Sequence, residues 1–229
     1  MLSSAGARQA AKGLASTEAA PARAGRIERL TVDGRAMLTL DLRGKRAIVT
    51  GGSRGVGRAV ALMLARAGAD VGITYRTRRE AADAVMADVA RAGVRAWAEG
   101  GDLADPVVVD RVFGRADAEF GGLDIFVGNA GIWPAEDVPV ERMGEDQWRR
   151  TLSVNLDAIF YTTRAAARRL GPGGRIVLVG STAGQRGEAG HADYAASKGA
   201  MISFVKSVAV ELAPRDVTVN CVAPGWIDT

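Results

Sequence analysis

A tyrosine and a lysine in the carboxyl-terminal part of the sequence have the types and the spacing of an acid–base pair. They lie in Tyr194-Ala-Ala-Ser-Lys198, and residues four apart on a helix share one face. A fixed positive charge beside a phenol stabilises the phenolate and lowers its pKa towards neutrality. With three tyrosines and four lysines in 229 residues, this spacing arises by chance about 5 per cent of the time. The pair predicts a general acid, and the ordinary alternative is a helix with a half-buried tyrosine.

A glycine-rich turn is a candidate phosphate-binding site. It reads Thr50-Gly-Gly-Ser-Arg-Gly-Val-Gly57 and lies between a β-branched run and a helical pattern. Glycines permit positive φ angles and let backbone N–H groups approach a pyrophosphate at the N-terminus of a helix. A merely tight turn is the alternative, but the position after a first strand favours dinucleotide binding.

The end of the second predicted strand indicates which nicotinamide cofactor to expect. At this position an acidic residue selects NAD by binding the ribose, whereas an arginine accommodates the 2′-phosphate of NADP. The strand ends in Thr74-Tyr-Arg76, and the first acidic residue after it is Glu80. Arg54, inside the glycine turn, provides a second cation. We therefore expect NADP(H) in preference to NAD(H).

Alternating β-branched runs and helical patterns predict the scaffold that must position these groups. Strands are predicted at residues 46–50, 71–75, 95–98, 125–128, 175–179 and 217–222. The helices between them are predicted from the glycine turn to residue 67 and at residues 78–92, 106–120, 145–170 and 193–212. Right-handed crossovers then give an α/β fold, a Rossmann-like, doubly wound parallel sheet with helices on both faces.

Composition places the chain among single-domain globular proteins and excludes several classes. The hydrophobic content is 48%, and no apolar run is long enough to span a membrane. One cysteine and one histidine allow no internal disulfide and no plausible zinc site, so we expect no metal and a reducing, cytoplasmic setting. Residues 1–36 hold six basic and three acidic residues, which leaves a net charge of only +1 on the remainder. A nucleic-acid-binding face is therefore not expected.

The first 36 residues differ in composition from the rest of the chain. They are rich in alanine, arginine, serine and glycine and show no sustained period, which predicts a disordered N-terminal extension over residues 1–36. This extension reads either as a linker or over-long start, or as a transit-like peptide. The folded domain is expected to occupy residues 37–229.

Several motifs taken together resemble those of the short-chain dehydrogenase/reductase family, over residues 41–229. Besides the glycine turn, the resemblance rests on Asp102-Leu103, Asn129-Ala-Gly131, the asparagine in Ser153-Val-Asn155, Ser181 placed 13 residues before Tyr194, and Pro224-Gly-Trp-Ile-Asp-Thr229. It implies a cofactor site formed by Gly51, Ser53, Arg54, Gly55, Val56, Gly57, Arg76, Asp102, Leu103, Asn129, Ala130, Gly131, Tyr194, Lys198, Pro224, Gly225, Ile227 and Thr229.

The same resemblance implies four catalytic residues. Ser181 is expected to hydrogen-bond the substrate carbonyl, and Tyr194 to give it a proton. Lys198 is expected to lower the pKa of the tyrosine and to bind the nicotinamide ribose, while Asn155 holds a water that resupplies protons. Lysine combines a compact charge with a titratable proton, and it stands here in a chain that otherwise prefers arginine.

The resemblance is strongest to members that reduce 3-oxoacyl thioesters with NADPH. An acyl carrier protein is then a possible partner, although Pro172 stands where one of two expected docking cations would be and only Arg215 matches the other. A homo-oligomer, dimer or tetramer, is expected through the helices at 145–170 and 193–212. The alternatives are an NAD(P)-dependent sugar or secondary-alcohol dehydrogenase and a catalytically silent dinucleotide-binding subunit.

Three further expectations concern the rim of the substrate pocket. Family members continue past the Pro-Gly motif with a substrate lid and a seventh strand, so a chain ending at Thr229 is expected to lack both, with its sixth strand as an exposed edge and one pocket wall missing. His191 is expected to be solvated, as a lone loop histidine usually is. Trp133 is expected either to line the pocket or to cover the edge of the core.

Overall fold

The first element of the structure is a β-hairpin. The computed structural model describes residues 26–32 and 35–228, beginning with the antiparallel strands β1 (Arg26–Val32) and β2 (Arg35–Asp41). Val32 pairs with Arg35, so only two residues connect the strands. The hairpin forms a separate two-stranded sheet.

The hairpin corrects part of the prediction for the N-terminal region. Residues 26–32 and 35–36 were expected to be disordered with the rest of residues 1–36, and the expected start of the folded domain at residue 37 falls inside β2. The connecting dipeptide is Asp-Gly, the strongest short-range hairpin signal, and it outweighs the disorder-like composition around it. Residues 1–25 and 33–34 lie outside the described residues.

A six-stranded parallel sheet forms the centre of the domain. Its strands are β3 (Arg46–Val49), β4 (Asp70–Tyr75), β5 (Ala96–Gly100), β6 (Ile125–Gly128), β7 (Arg175–Val179) and β8 (Thr218–Val222). Their spatial order is β5-β4-β3-β6-β7-β8, and each neighbouring pair is parallel. Strands β3, β4, β6 and β7 contain mainly apolar residues such as valine and isoleucine, the composition of parallel strands that are covered on both faces. This sheet confirms the predicted doubly wound fold.

Helices cover both faces of this sheet. They are α1 (Gly55–Arg66), α2 (Arg79–Ala90), α3 (Pro106–Phe120), α4 (Glu145–Leu152), α5 (Ala158–Ala167), α6 (Ala183–Arg186) and α7 (Ala192–Leu212). Helices α1 and α2 pack around Val49, Val71 and Ile73, while α3, α5 and α7 pack around Phe126 and Ile176 on the other face. Among the described residues, no helix combines the length and apolarity that a membrane crossing requires.

The predicted helix at 145–170 is interrupted. Helix α4 ends at Leu152, a π-helical turn occupies Ser153–Asp157, and α5 continues from Ala158 to Ala167. In the π turn the N–H of Ala158 donates to the carbonyl oxygen of Ser153, five residues back. Such turns insert one extra residue into a helix and often lie at functional sites. The prediction of one continuous helix is therefore wrong at this point.

The close approach of β4 and β5 generates a stability prediction. A methyl group added at Gly72 would lie 2.2 Å from the nearest ring atom of Trp97, which is buried and cannot move away. We expect Gly72→Ala to lower the free energy of unfolding by about 1–3 kcal/mol. Gly114→Ala is the matched control: its methyl group meets nothing within 4 Å in α3, and helix propensity favours alanine by about 1 kcal/mol. Urea unfolding of both variants tests this, and equal unfolding free energies would contradict it.

Candidate active site

A cleft of about 570 Å³ opens at the carboxyl ends of the parallel strands. It lies where the strand order reverses, between β3 and β6, which is the usual ligand position in open α/β sheets. Seventeen of the eighteen predicted cofactor residues, and the predicted catalytic Ser181, line this cleft. Asn155 is fully buried and does not line the cleft, and Thr229 lies outside the described residues.

The glycine turn is fixed to the strand beside it by Asn129. Its side-chain nitrogen donates to the carbonyl oxygens of Thr50 and Gly51, at 2.9 and 3.3 Å. The hydroxyl of Thr50 accepts from the backbone N–H groups of Asn129 and Ala130, each at 2.9 Å. A methyl group on Gly57 would lie 2.4 Å from the carbonyl oxygen of Gly51 and 2.5 Å from the amide of Asn129. Only glycine therefore fits where α1 approaches the turn.

The turn and α1 fit the pyrophosphate of a nicotinamide dinucleotide. Gly51 has a φ of +65°, a conformation that glycine adopts without strain. Arg54 caps α1 without a side-chain hydrogen bond to the first helical turn. The first N–H groups of a helix have no partner within it, and the helix dipole favours an anion there.

Among the described residues, no group of three or more histidine, cysteine and carboxylate side chains could hold a metal ion.

Two of the predicted cofactor residues pair with each other. Nη2 of Arg76 lies 2.9 Å from Oδ2 of Asp102 in an ion pair, and both side chains remain substantially exposed at the edge of the cleft. Arg54 and Arg78 also line the cleft, and neither forms an ion pair within residues 40–228, where side chains are described. Sequence reasoning missed Arg78, and its signal was the run of arginines directly after β4.

Lys198 carries a buried amino group at the floor of the cleft. Its side chain is 4% exposed, and Nζ donates to the carbonyl oxygen of Val179, at the end of β7, at 2.9 Å. Nζ lies 5.8 Å from the centre of the Tyr194 ring. Burial lowers the pKa of Lys198 to about 8, because removing water disfavours the ammonium form.

Ser181 and Tyr194 reach the cleft from different elements. Ser181 lies in the connection between β7 and α6, where its hydroxyl accepts from the N–H of Ala183 at 3.2 Å. Tyr194 lies in the first turn of α7 and is half-buried. Both line the cleft together with Lys198, so the structure brings a hydroxyl, a phenol and an amino group to one surface.

The π turn presents Asn155 to the backbone after β6. Oδ1 of Asn155 accepts from the N–H of Ile132 at 2.7 Å, and Nδ2 donates to the carbonyl oxygen of Ile132 at 2.9 Å. Nδ2 also donates to the hydroxyl of Ser197 on α7 at 3.2 Å. Asn155 therefore joins three segments beneath the cleft rather than facing it.

Asp193 is a buried carboxylate that sequence reasoning missed. Its Oδ2 accepts from the hydroxyl of Thr151 at 2.7 Å and from the amide of Gln147 at 3.2 Å, and its Oδ1 accepts from the N–H of Tyr194 at 2.8 Å. These bonds fix the first turn of α7 against α4. From the sequence alone, an aspartate in the first turn of a helix is explained by its favourable interaction with the helix dipole. Nothing in the sequence indicates a hydrogen bond to Thr151, 42 residues away.

The expectation that His191 is solvated is wrong. Its side chain is only 2% exposed, and its ring stacks on Trp133 with 3.8 Å between centroids and 18° between planes. Trp133 lines the cleft, which is the first of the two positions expected for it. Its ring also lies edge-on to Tyr194, with centroids 4.7 Å apart.

The fold and the cleft define a nicotinamide-dependent oxidoreductase of the Rossmann type. The family model described as short chain dehydrogenase matches residues 45–229. The 3-oxoacyl-[acyl-carrier-protein] reductase of Synechocystis sp. is 40% identical over 80% of this chain and 74% of its own. The enzyme of the same name, FabG, from Escherichia coli is 40% identical over 83% of this chain and 76% of its own.

A solved structure agrees with these sequence relatives. The short chain dehydrogenase of Burkholderia cenocepacia, crystallised in complex with NADP, has a TM-score of 0.79 and 49% identity, covering 82% of this chain and 76% of its own. The chain therefore belongs to the short-chain dehydrogenase family. It is an oxidoreductase that interconverts an alcohol and a ketone with a nicotinamide dinucleotide.

The buried amino group of Lys198 generates a pH prediction. Its pKa is lowered from 10.5 to about 8, so the unfolded state binds more protons than the folded state between those values, and stability rises with pH across that window. Below pH 8 the buried ammonium costs about 3 kcal/mol. The unfolding free energy of the wild type minus that of Lys198→Met is expected to increase between pH 8 and 10.5. Urea unfolding at several pH values measures this difference, and a pH-independent difference would contradict the prediction.

Proposed function

We propose that the chain reduces a ketone, most favourably a 3-oxoacyl thioester, to a secondary alcohol with NADPH as the hydride donor. The observation that carries the proposal is the amino group of Lys198, buried and hydrogen-bonded to Val179 beside the ring of Tyr194. A positive charge in this position stabilises phenolate, which is what a tyrosine needs to give up a proton near neutral pH. The names of the two reductases that are 40% identical support the substrate class.

The proposed chemistry divides among three side chains of the cleft. The phenol of Tyr194 gives a proton to the carbonyl oxygen as that oxygen becomes an alkoxide, and the hydroxyl of Ser181 donates a hydrogen bond to the same atom. Fixed donors aimed at developing charge stabilise the transition state more than the ground state. Lys198 stabilises the phenolate that remains. NADPH, when bound, supplies the hydride.

Asn155 suits a role in resupplying protons to Tyr194 and Lys198. A methyl group built on Gly131 would lie 3.0 Å from Oδ1 of Asn155 and 3.5 Å from Nζ of Lys198, so both polar atoms lie close to the same side of Gly131. Oδ1 accepts one protein hydrogen bond, and a carbonyl oxygen has two lone pairs. We propose that the second lone pair binds a water that returns a proton to Lys198.

The residues at the two expected docking positions do not favour recognition of a carrier protein. Arg215, the one matching docking cation, donates to the carbonyl oxygen of Leu170 at 2.6 Å, so part of its donor capacity is used within the fold. Pro172 stands in the other position. We therefore propose that the thioester is recognised at the cleft, and that either coenzyme A or an acyl carrier protein can bear it.

We also propose that the chain forms a homo-oligomer in which α5 and α7 contact a second copy. Phe160 on α5 is 42% exposed and Val210 on α7 is 76% exposed, although both are large apolar side chains. The ring of Phe160 lies edge-on to Phe204 with centroids 6.5 Å apart, which makes the apolar surface continuous across the two helices. Exposed apolar patches of this kind mark association surfaces.

The assignment of Tyr194 as proton donor predicts a large loss of turnover on removing its hydroxyl. Tyr194→Phe is expected to lower kcat for acetoacetyl-CoA by roughly 10²- to 10⁴-fold, the range for general acid catalysis, with the Kd for NADPH little changed. NADPH oxidation and NADPH fluorescence titration measure the two quantities. Tyr161→Phe is the control, since it removes the same atom outside the cleft. Comparable turnover by the two variants would refute the assignment, and inactivity of the wild type on acetoacetyl-CoA would refute the proposed substrate.

The arginines at the adenosine end of the cleft predict the cofactor preference. Arg54→Ala and Arg76→Ala are each expected to raise the Kd for NADPH by roughly tenfold or more, the effect of losing one hydrogen bond to a charged group. The Kd for NADH should change little, because NADH lacks the 2′-phosphate. Arg58→Ala is the control, since Arg58 pairs with Asp88 and does not line the cleft. An equal loss of affinity for both cofactors would contradict the proposed NADP(H) preference.

A further inference from the structure

His191 connects two segments beside the cleft, the loop after β6 and the segment before α7. It lies three residues before Tyr194, and its Nε2 is 3.0 Å from the carbonyl oxygen of Pro134, in the loop after β6. Its Nδ1 faces the carbonyl oxygen of Ala189 at 3.4 Å and Oδ1 of Asp137 at 3.5 Å. Acceptors thus face both ring nitrogens, and the tautomer protonated at Nε2 makes the shorter bond.

A second connection holds the same two segments together. The N–H of Val138 donates to the carbonyl oxygen of Gly190 at 2.8 Å. Gly190 has a φ of +74°, and a methyl group on it would lie 3.0 Å from Cβ of Asp137. The loop after β6 is therefore joined to the segment before α7 at two points, one through backbone groups and one through His191.

Trp133 is the cleft residue that this arrangement fixes. One face of its indole lies on the buried ring of His191, and its 38% exposure and edge-on contact with Tyr194 place it beside the proposed proton donor. The ring of Trp226 stands edge-on to it with centroids 5.5 Å apart. The indole of Trp133 therefore forms a rigid apolar wall. It stacks on His191, which is itself held by a hydrogen bond to Pro134, and this contact excludes other rotamers of Trp133.

His191 does not itself reach the substrate. Its ring is covered by Trp133 and does not line the cleft, so a role in proton transfer to the ketone does not fit its position. Its contacts leave one role, which is to hold Trp133 and the backbone of Pro134 in place.

We infer that His191 is a positioning residue that sets the substrate wall of the cleft through Trp133, and that it thereby controls how tightly the ketone is held beside Tyr194. This inference rests on the proposed function for its substrate, but the geometry of the wall can be tested without turnover. The side chain supplies two separable contributions, a flat ring for stacking and an N–H donor for Pro134. His191→Phe keeps the ring, His191→Gln keeps the donor, and His191→Ala removes both.

The first test observes Trp133 directly. The chain has four tryptophans, so a ¹⁵N-labelled sample gives four indole N–H resonances, and the variants Trp133→Phe and Trp148→Phe identify two of them. His191→Ala is expected to shift and broaden the Trp133 resonance and to leave that of Trp148 unchanged. Trp148 is a matched reference, since its exposure is 40% and it lies outside the cleft. His191→Gln and His191→Phe serve the same test if the alanine variant does not fold, and an unchanged Trp133 resonance in the folded variants would overturn the inference.

The second test measures acetoacetyl-CoA reduction in a double-mutant cycle. His191→Ala is expected to raise KM by roughly three- to tenfold, as the loss of one buried hydrogen bond does, with smaller changes in kcat and in the Kd for NADPH. The Phe and Gln variants should each recover part of this loss. In a Trp133→Ala background, His191→Ala is expected to change KM no further, because coupled residues are not additive. Equal changes in both backgrounds, or an equal loss of NADPH affinity, would overturn the inference. A wild type inactive on acetoacetyl-CoA would refute only the substrate, and the resonance of Trp133 would still decide the role of His191.

Discussion

The geometry of the site depends on keeping the amino group of Lys198 inside the protein. A buried ammonium loses its hydration and must be compensated by nearby polar groups. The carbonyl oxygen of Val179 provides that contact because β7 ends beside α7. Helix α6 approaches α7 so closely that a methyl group on Gly184 would lie 2.5 Å from the backbone of Lys198. The end of one strand and the packing of two helices therefore fix one charge, and the proposed acid is placed relative to that charge.

The fold followed from the sequence because its signals are local. The strands at 125–128 and 175–179 match the prediction residue for residue, and the other predicted strand boundaries differ by at most two residues. Buried parallel strands read as continuous β-branched runs, and the helices between them are long enough to show a period. The hairpin also has a local signal, the Asp-Gly dipeptide between β1 and β2, but the disorder-like composition of the residues around it conceals that signal.

The sequence predicts individual residues of the site, but it does not predict the contacts between them. Motif spacing indicated Arg76 and Asp102 separately, but their ion pair depends on how β4 and β5 lie side by side. Spacing also indicated Asn155, although not that its amide would bind the backbone of Ile132. The burial of His191 and of Asp193 follows from contacts made across the chain. A single sequence contains no signal for such partners, so residues that orient the site are harder to find than residues that line it.

The π turn at Ser153–Asp157 ties the geometry of the site to the packing of the core. One residue advances an α-helix by about 100°, so the extra residue sets the rotation of α5 relative to α4. Removing it would place Asn155 in an ordinary helical turn and would also rotate Ile159 away from the core that it fills. A chain that lost this irregularity would therefore have to repack one face of its sheet. The π turn is therefore fixed by the packing of the core, and it is as difficult to remove as a core residue.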